Sequence, residues 1–207
     1  NGIDLDNFKP GDKNDARESL NLPQDKSILL FVSAGGILRS SFKDYSTIQN
    51  AIKIIADQRP DKNLIVIALG DNDSTEKIGR IEIKYLSHIT SSQQLAQYYR
   101  AADIYLHAAK AESFGLVIAE AQACGTPVIA TTIGGIPDTI RDNKTGFLIA
   151  PNNAGEMSNK ILMLLENENM HKEMSYQAAL FAHSNFGVDR MIKSYLSFYE
   201  EIVNETK

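Results

Sequence analysis

Residues 111–131, AESFGLVIAEAQACGTPVIAT, decide the fold of this chain. Ser113 is a typical helix N-cap, and residues 116–124 follow it as an almost continuous apolar run of helix-forming residues. Gly125 predicts the end of that helix, because glycine readily adopts the left-handed conformation found just beyond helix ends. The apolar triplet 128–130 is typical of a strand that is covered on both faces. A buried helix leading directly into a buried strand indicates an α/β fold.

A carboxylate, Glu120, stands inside this apolar run, and a buried carboxylate needs polar partners. Helical side chains lean toward the N-terminus of their helix, so Glu120 is expected to point back toward Glu112 in the preceding loop. The backbone amides of Phe114, Gly115 and Leu116 are expected to be open to an anion at the helix start. Amides that bind an anion, flanked by two acids that accept hydrogen bonds from hydroxyls, suit a sugar nucleotide.

Composition limits the class of protein. The 207 residues suffice for one large domain or two small ones. The formal net charge of -5 argues against a general nucleic-acid or anionic-membrane binder, because both favour a basic surface. Cys124 is the single cysteine, so we expect no intrachain disulfide and an inert, buried thiol. No signal peptide or bilayer-spanning apolar run is apparent in this sequence, and we expect a cytoplasmic protein.

Strands and helices alternate along the chain. The apolar patterns predict strands at 27–33, 64–69, 81–86, 103–108, 128–130 and 147–149. They predict helices at 44–56, 92–101, 116–124, 154–166, 169–184 and 188–203, and a short helical piece that ends near Arg141. Such alternation is typical of a Rossmann-like, doubly wound parallel sheet, in which ligands bind beyond the carboxyl ends of the strands.

Two cations follow the first predicted strand and its Gly35-Gly36 pair. Arg39 and Lys43 are placed to neutralise a diphosphate leaving group, although two solvated surface charges are the alternative. The glycine pair is no dinucleotide fingerprint, because neither G-x-G-x-x-G nor a phosphate-binding G-x-x-x-x-G-K-[ST] occurs. The four histidines lack metal-ligand spacing, so we predict no metal site. For His88 and His107, which end or follow strands, a packing role is favoured over catalysis.

These motifs together resemble a known enzyme family. Residues 101–153, AADIYLHAAKAESFGLVIAEAQACGTPVIATTIGGIPDTIRDNKTGFLIAPNN, are similar to the central block of the retaining glycosyltransferases of family 4, the group 1 transferases with a GT-B fold. The most specific motif is a glutamate, seven residues and a second glutamate, here Glu112 and Glu120. Residues 1–10, NGIDLDNFKP, resemble the segment that joins the two halves of such enzymes, and residues 186–202 resemble their closing helix.

The resemblance implies a role for each matching residue. Glu112, Arg39 and Lys43 would be catalytic, with Glu112 near the donor sugar and the two cations at the diphosphate. Glu120 would bind the ribose hydroxyls, and Ile89 falls where the family places the nucleotide base. The complete set of donor-binding positions is Glu120, Ser113, Phe114, Gly115, Leu116, Gly36 and Ile89.

The sequence also departs from the family pattern. A Gly-Arg pair usually follows the first strand and a Lys-Gly pair comes later, whereas here Arg39 is displaced and Asp44 follows Lys43. The assignment of each cation to a phosphate is therefore left open. Asn72 stands where a second glycine often follows Gly70-Asp71.

The same resemblance implies a domain organisation. Residues 1–26 would be an interdomain junction or linker, and residues 27–187 the Rossmann-like domain that binds the nucleotide sugar. Residues 188–207 would form a C-terminal helix with a broad apolar face. Packing of this face on the domain's own sheet is favoured, and docking on a missing N-terminal domain is the alternative. Because family members carry the acceptor site in that N-terminal domain, this chain is expected to be a fragment that binds donor and transfers little or nothing.

The expected function is thus that of the donor-binding domain of a retaining glycosyltransferase. Its donor would be a UDP-, GDP- or ADP-sugar, with no cofactor, no nucleic-acid partner and peripheral membrane association only through the missing domain. A nucleotide-sugar epimerase of the GT-B type and a non-catalytic nucleotide-binding module are the two alternatives.

Overall fold

A mostly parallel sheet forms the centre of this computed structural model, which describes residues 1–33 and 42–205. Within those residues seven strands join in the order β3-β4-β2-β1-β5-β6-β7, and every neighbouring pair is parallel except β3 with β4. The strands are β1 (Ser27–Val32), β2 (Leu64–Leu69), β3 (Ser74–Ile78), β4 (Ile81–Leu86), β5 (Ile104–His107), β6 (Val128–Thr131) and β7 (Gly146–Ile149).

Helices cover both faces of this sheet. They are α1 (Lys13–Ser19), α2 (Tyr45–Gln58), α3 (Ser92–Ala101), α4 (Leu116–Ala123), α5 (Ile136–Thr139), α6 (Ala154–Glu166), α7 (Glu168–Asn185) and α8 (Val188–Glu205). Because side chains alternate along a strand, β1 serves two cores. Leu30 packs in a cluster that contains Tyr99 of α3 and Ile118 of α4. Phe31 packs in a second cluster, which contains Ile52 of α2 and Ile161 of α6. The predicted Rossmann-like α/β class is confirmed.

The strand order reverses at β1. From β1 the chain runs outward through α2 to β2 and then β4, whereas β5 returns to the other side of β1. Leu29 and Leu30 of β1 are paired with Ile104 and Tyr105 of β5. In open α/β sheets, ligands bind in the crevice beyond the carboxyl ends of strands at such a reversal. Among the described residues, the crevice here lies between residues 42–44, which precede α2, and the segment that follows β5.

Two elements were not predicted from the sequence. Helix α1 has only seven residues, too few for a recognisable apolar period, and it begins where Asp12 Oδ1 accepts hydrogen bonds from the amides of Asn14 (2.8 Å) and Asp15 (3.0 Å). Strand β3 lies at the sheet edge with four of its five residues exposed, so it lacks the apolar alternation of a half-buried strand.

The first residues of the chain pack on the domain. Ile3 and Phe8 are each 4% exposed and belong to the core that also contains Tyr99. The amide of Ile3 donates to Phe186 O at 2.7 Å, and the guanidinium of Arg100 donates to Lys9 O and Asn7 O at 2.8 and 2.7 Å. A role of residues 1–26 as the junction to a preceding domain stays a prediction, and that segment is anchored to the sheet domain along its length.

Helix α8 does not bury its apolar face. None of its residues with a described side chain, 188–204, is buried, so the alternative in which this helix packs on its own sheet is wrong. The exposed apolar residues are Val188, Ile192, Tyr195, Leu196, Phe198, Tyr199, Ile202 and Val203. Throughout residues 1–33 and 42–205, neither this helix nor any other combines the length and apolarity needed to cross a bilayer.

Candidate functional site

Backbone hydrogen bonds join the segment after β1 to the segment after β5. The amide of Asp44 donates to Ala108 O at 3.0 Å, and that of Lys110 donates to Phe42 O at 2.7 Å. Lys43 and Ala109 form an isolated antiparallel bridge between these bonds. The two sides of the strand-order reversal are therefore held together, and Lys43 lies beside the loop that carries Glu112.

Three side chains form one polar cluster in this crevice. Lys43 Nζ lies 2.9 Å from Glu112 Oε2, and His107 Nε2 lies 3.3 Å from the same oxygen. Lys43 Nζ is also 3.1 Å from His107 Nε2. The side chains of Lys43 and Glu112 are 16% and 19% exposed, whereas that of His107 is completely buried. The partly exposed cation and anion thus both contact a buried imidazole at the carboxyl end of β5.

The cluster keeps Glu112 ionised. The hydrogen bond from His107, together with the hydrogen bond and charge of Lys43, holds the pKa of the Glu112 carboxyl well below its usual range, although partial burial opposes this effect. Burial lowers the pKa of His107, and the nearby charge of Lys43 lowers it further. The hydrogen bond to Glu112 and its charge raise this pKa, but they do not offset the other two effects. At neutral pH the cluster therefore contains a carboxylate and a neutral imidazole.

His107, for which a packing role was favoured from the sequence, is a member of this cluster. Its Nδ1 lies 3.2 Å from the hydroxyl of the buried Tyr105, so both ring nitrogens have partners. In one tautomer Nε2–H donates to Glu112 and the tyrosine hydroxyl donates to Nδ1; in the other, Lys43 donates to Nε2. The sequence feature that could have identified His107 as a site residue is its position at the end of a central strand, at the edge where ligands bind.

Glu120 has a different environment from Glu112. Its Oε2 accepts a hydrogen bond from the hydroxyl of Tyr99 at 3.0 Å. Burial raises the pKa of Glu120, and the Tyr99 hydrogen bond offsets only part of this effect. Burial also raises the pKa of Tyr105, and the charges of Glu120 and Glu112 raise it further. The hydroxyl of Tyr105 lies 3.2 Å from Nδ1 of His107, which contacts Glu112. The ring of Tyr105 packs on Tyr99, which donates to Glu120. One series of side-chain contacts therefore joins the two acids.

The start of α4 differs from the prediction in its cap. The N-cap is Gly115, in the left-handed conformation with φ 86°, and Ser113 makes no capping bond. A side chain at Gly115 would be strained at this φ and would place its Cβ 2.9 Å from Ile118 Cδ1. The predicted N-cap role of Ser113 is therefore wrong, because the left-handed glycine turns the chain into the helix two residues later.

The helix start faces the surface. The amides of Ile118 and Ala119 both donate to Gly115 O, at 2.9 and 3.3 Å, so the amides of the two preceding helical residues point out of the first turn. Leu116 is 45% exposed at this tip. The ring of Phe114 packs edge-to-face on Phe186 at 5.6 Å, which directs this side chain toward the end of α7.

The Gly134-Gly135 turn supports the loop that carries Glu112. The amide of Gly135 donates to Glu112 O at 3.0 Å. A Cβ at Gly134 would lie 2.0 Å from Glu112 O, and one at Gly135 would lie 2.0 Å from Ser113 O. Two residues without side chains therefore allow the turn to pack directly against the backbone of this loop.

The remaining predicted positions are not part of the cluster. Ile89 follows β4, two strands from β1, where it is half-buried against the core shared with α4. Gly36 and Arg39 lie outside the described residues. Among the residues that are described, no group of three or more histidine, cysteine or acidic side chains is arranged to hold a metal ion.

A cavity of about 590 Å³ lies at the opposite, amino-terminal edge of the sheet. Its polar groups largely bond one another: Asp103 accepts from Lys13 at 2.7 Å and from Arg17 at 2.8 Å, and His171 Nε2 is 2.7 Å from Asp103 O. Burial raises the pKa of the Cys124 thiol in the cavity wall to about 12, in agreement with the inert role expected for it. These contacts have a structural role.

Comparison with solved structures identifies the fold. Sucrose-phosphate synthase from Thermosynechococcus elongatus matches 99% of this chain and 52% of its own, with a TM-score of 0.77 and 25% identity. HepE of Anabaena in complex with UDP-glucose matches 97% of this chain and 56% of its own, with a TM-score of 0.80 and 22% identity. The C-terminal domain of the group 1 family protein LpcC from Francisella tularensis matches 90% of this chain and is itself covered completely, with a TM-score of 0.73 and 20% identity. The fold is that of GT-B glycosyltransferases.

Comparison of sequences identifies the family. D-inositol 3-phosphate glycosyltransferase 2 of Catenulispora acidiphila is 36% identical over 178 residues, which cover 80% of this chain and 41% of that protein. D-inositol 3-phosphate glycosyltransferase of an Arthrobacter species is 33% identical over 213 residues, 99% of this chain and 49% of that protein. The chain thus spans less than half the length of either relative. The family model described as "Glycosyl transferases group 1" matches residues 12–181. The chain therefore belongs to the group 1 glycosyltransferases.

Proposed function

We propose that this chain is the donor-binding domain of a retaining glycosyltransferase and that it binds a nucleoside-diphosphate sugar beyond the carboxyl ends of β1 and β5. The observation that carries the proposal is the cluster of Lys43, Glu112 and His107 beside the open start of α4. A cation, outward-facing amides and an ionised acid together provide groups for the phosphates and the hydroxyls of one ligand.

Lys43 and the amides at the start of α4 are proposed to bind the diphosphate. During transfer the bond from the sugar to the diphosphate breaks, and negative charge accumulates on the leaving phosphate oxygen. A cation and helix amides aimed at that oxygen lower the energy of the transition state without reorganisation. Arg39, which lies outside the described residues, is the second cation proposed for this role from the sequence.

The two acids are proposed to bind different hydroxyl groups. Glu112 is ionised and lies next to Lys43, which places it beside the sugar–phosphate linkage of a bound donor. Glu120 lies one helix turn inside α4, where its carboxylate suits the ribose hydroxyls. Ile89, three residues beyond β4, is proposed to contact the base. We assign Glu112 to the sugar as a ligand and do not assign it covalent chemistry.

The length of the relatives supports the proposal that another domain completes the enzyme. The chain covers 41% and 49% of the two inositol-phosphate transferases described above, which leaves room for a second domain in proteins of that size. We propose that the second domain supplies the acceptor site and that the exposed apolar face of α8 docks on it. On this proposal, the 207-residue chain alone binds donor without transferring its sugar.

A UDP-sugar is the preferred donor in this proposal, because the HepE structures contain UDP, or UDP with glucose, or UDP-glucose. GDP- and ADP-sugars are the competing donors. Titration calorimetry of the chain with UDP, GDP, ADP and their glucose conjugates tests this assignment directly. We expect saturable binding of one nucleotide series, and the absence of binding in all three series would contradict the proposal.

Substitution at Glu120 locates the binding. Glu120→Ala is expected to weaken nucleotide affinity by tenfold or more, since hydrogen bonds to a charged group contribute about 1.5–3 kcal/mol. The matched control is Glu173→Ala, an exposed acid on α7, which should bind as the wild type does. Incubation of the longer protein with labelled nucleotide sugar and acceptor then distinguishes transfer from epimerisation of the donor and from binding without turnover.

A further inference from the structure

We propose that Tyr99 is a positioning residue that orients the Glu120 carboxylate and so makes the site selective for ribonucleotides over 2′-deoxyribonucleotides. This inference rests on the proposed function, in which Glu120 binds the ribose. It concerns a residue outside the crevice, on α3, which contacts the proposed ligand only through Glu120.

The position of Tyr99 is determined by packing on several sides. The residue is completely buried. Its ring packs edge-to-face on Phe8 at 6.1 Å and on Tyr105 at 5.6 Å. The hydroxyl of Thr126 donates to Tyr99 O at 2.6 Å and fixes the backbone at the end of α3. A tyrosine held in this way has a hydroxyl with one stable position.

That hydroxyl is the hydrogen-bond donor that the described part of the chain supplies to Glu120. Tyr99 Oη lies 3.0 Å from Glu120 Oε2, and none of the ion pairs among the described residues involves Glu120. A glutamate has three rotatable side-chain bonds, so a carboxylate without this bond would sample several orientations. Because each carboxylate oxygen accepts two hydrogen bonds, Oε2 can bond Tyr99 and a ribose hydroxyl together.

Orientation matters for selectivity. Two adjacent hydroxyls of a ribose match the two oxygens of one carboxylate only when the carboxylate plane faces the sugar. A site built to bond a hydroxyl strongly rejects an analogue without it, because its own polar group is then left unpaired. A carboxylate that is free to rotate can turn to other partners. The 2′-hydroxyl then adds less to the binding affinity, and less affinity is lost when that hydroxyl is absent.

The test compares the wild-type chain with Tyr99→Phe, a variant that keeps the ring and its packing. Titration calorimetry measures dissociation constants for UDP and 2′-deoxy-UDP, and for GDP and 2′-deoxy-GDP. In the variant we expect the affinity for the preferred ribonucleotide to fall about tenfold, which is the effect of losing about 1.4 kcal/mol. The affinity for its 2′-deoxy analogue should change less than about twofold, so the ratio between the two should fall toward one.

The neighbouring Tyr98 provides the matched control. It lies on the same helix, is 8% exposed, and is not joined to Glu120 by any described hydrogen bond. Tyr98→Phe should keep the wild-type ratio. Thermal unfolding of both variants checks that the fold is retained.

The outcomes separate the inference from the proposed function. If the wild-type chain binds and Tyr99→Phe keeps its ratio, or weakens both nucleotides by the same factor, Tyr99 has only a structural role and the inference is overturned. If the wild-type chain binds none of the four nucleotides, the proposed function fails and the inference fails with it.

Discussion

Lys43 Nζ lies 2.9 Å from Glu112 Oε2, so the cation proposed for the diphosphate is paired with the acid proposed for the sugar. The two residues come from segments that follow β1 and β5, on the two sides of the strand-order reversal. Both side chains are largely buried, at 16% and 19% exposure, which distinguishes this pair from the exposed ion pairs that contribute little to stability. A diphosphate that enters the crevice competes with Glu112 for Lys43.

Glu112 is expected to stabilise the fold at neutral pH. Its pKa is depressed in the folded chain, so its contribution is present above the ordinary pKa of 4.5 and is lost as the pH falls below that value. Glu112→Gln should therefore lower the free energy of unfolding by about 1–2 kcal/mol at pH 7, and by less at pH 4. Urea denaturation at both pH values measures the difference, and an equal loss at the two would contradict the assignment.

The contribution of Glu120 to stability is expected to change with pH in the opposite direction. Its pKa is raised in the folded chain, so stability is greatest below the ordinary pKa of 4.5 and is lost as the pH rises through the folded value. Glu120→Gln removes this penalty and leaves an amide oxygen to accept from Tyr99. We expect unchanged or higher stability at pH 7, together with weaker nucleotide binding. A fall in stability as large as that of Glu112→Gln would show that burial does not dominate at Glu120.

The opposite directions of these two pKa shifts were not predictable from the spacing of the two acids. The sequence predicted the helix, the following strand and the approach of both carboxylates to the helix start, because these depend on local periodicity and turn residues. The partners of each acid come from distant segments: Lys43 and His107 for Glu112, and Tyr99 for Glu120. Pairings of this kind depend on the strand order, which a single sequence does not contain.

Other differences have local causes. The Ser113 cap was wrong because a left-handed glycine allows the helix to begin later. Helix α1 and strand β3 were missed because one is short and the other is polar. The broad apolar face of α8 was read correctly as a pattern, whereas the favoured partner for that face, the domain's own sheet, was wrong.

Lys43 is expected to contribute strongly to diphosphate affinity. Lys43→Met keeps much of the side-chain volume and removes the charge, so UDP affinity should fall about tenfold to a hundredfold, as expected for a charge-assisted hydrogen bond. Affinity of the variant should also depend less on salt, because one charge is missing. Lys53→Met, at an exposed position on α2, is the control. Equal affinities for the two variants would remove Lys43 from the site.

Gly134 is expected to be essential for the loop that carries Glu112. A Cβ at this position would lie 2.0 Å from Glu112 O, and φ is +52°, so Gly134→Ala requires the backbone to move. We expect a loss of about 2 kcal/mol or more in stability and weaker UDP binding. Gly155→Ala is the matched control, because its nearest neighbour would be 3.8 Å away. Glycine-to-alanine changes inside helices are favourable by about 0.5–1 kcal/mol, so this control should be neutral or stabilising.

The exposed face of α8 gives a prediction that tests the proposed docking on a second domain. Leu196 is 57% exposed on this helix, whereas Leu164 of α6 is 1% exposed. In the 207-residue chain, Leu164→Ala should lower the free energy of unfolding by about 2–5 kcal/mol and Leu196→Ala by less than about 0.5 kcal/mol. In a longer protein that carries the proposed second domain, Leu196→Ala should become destabilising, because the proposed docking would bury this side chain. Denaturant unfolding of both variants of the 207-residue chain, and of Leu196→Ala in the longer protein, measures these changes. A large effect of Leu196→Ala in the short chain would show that α8 packs on its own domain, and no effect in either protein would show that the helix docks on neither.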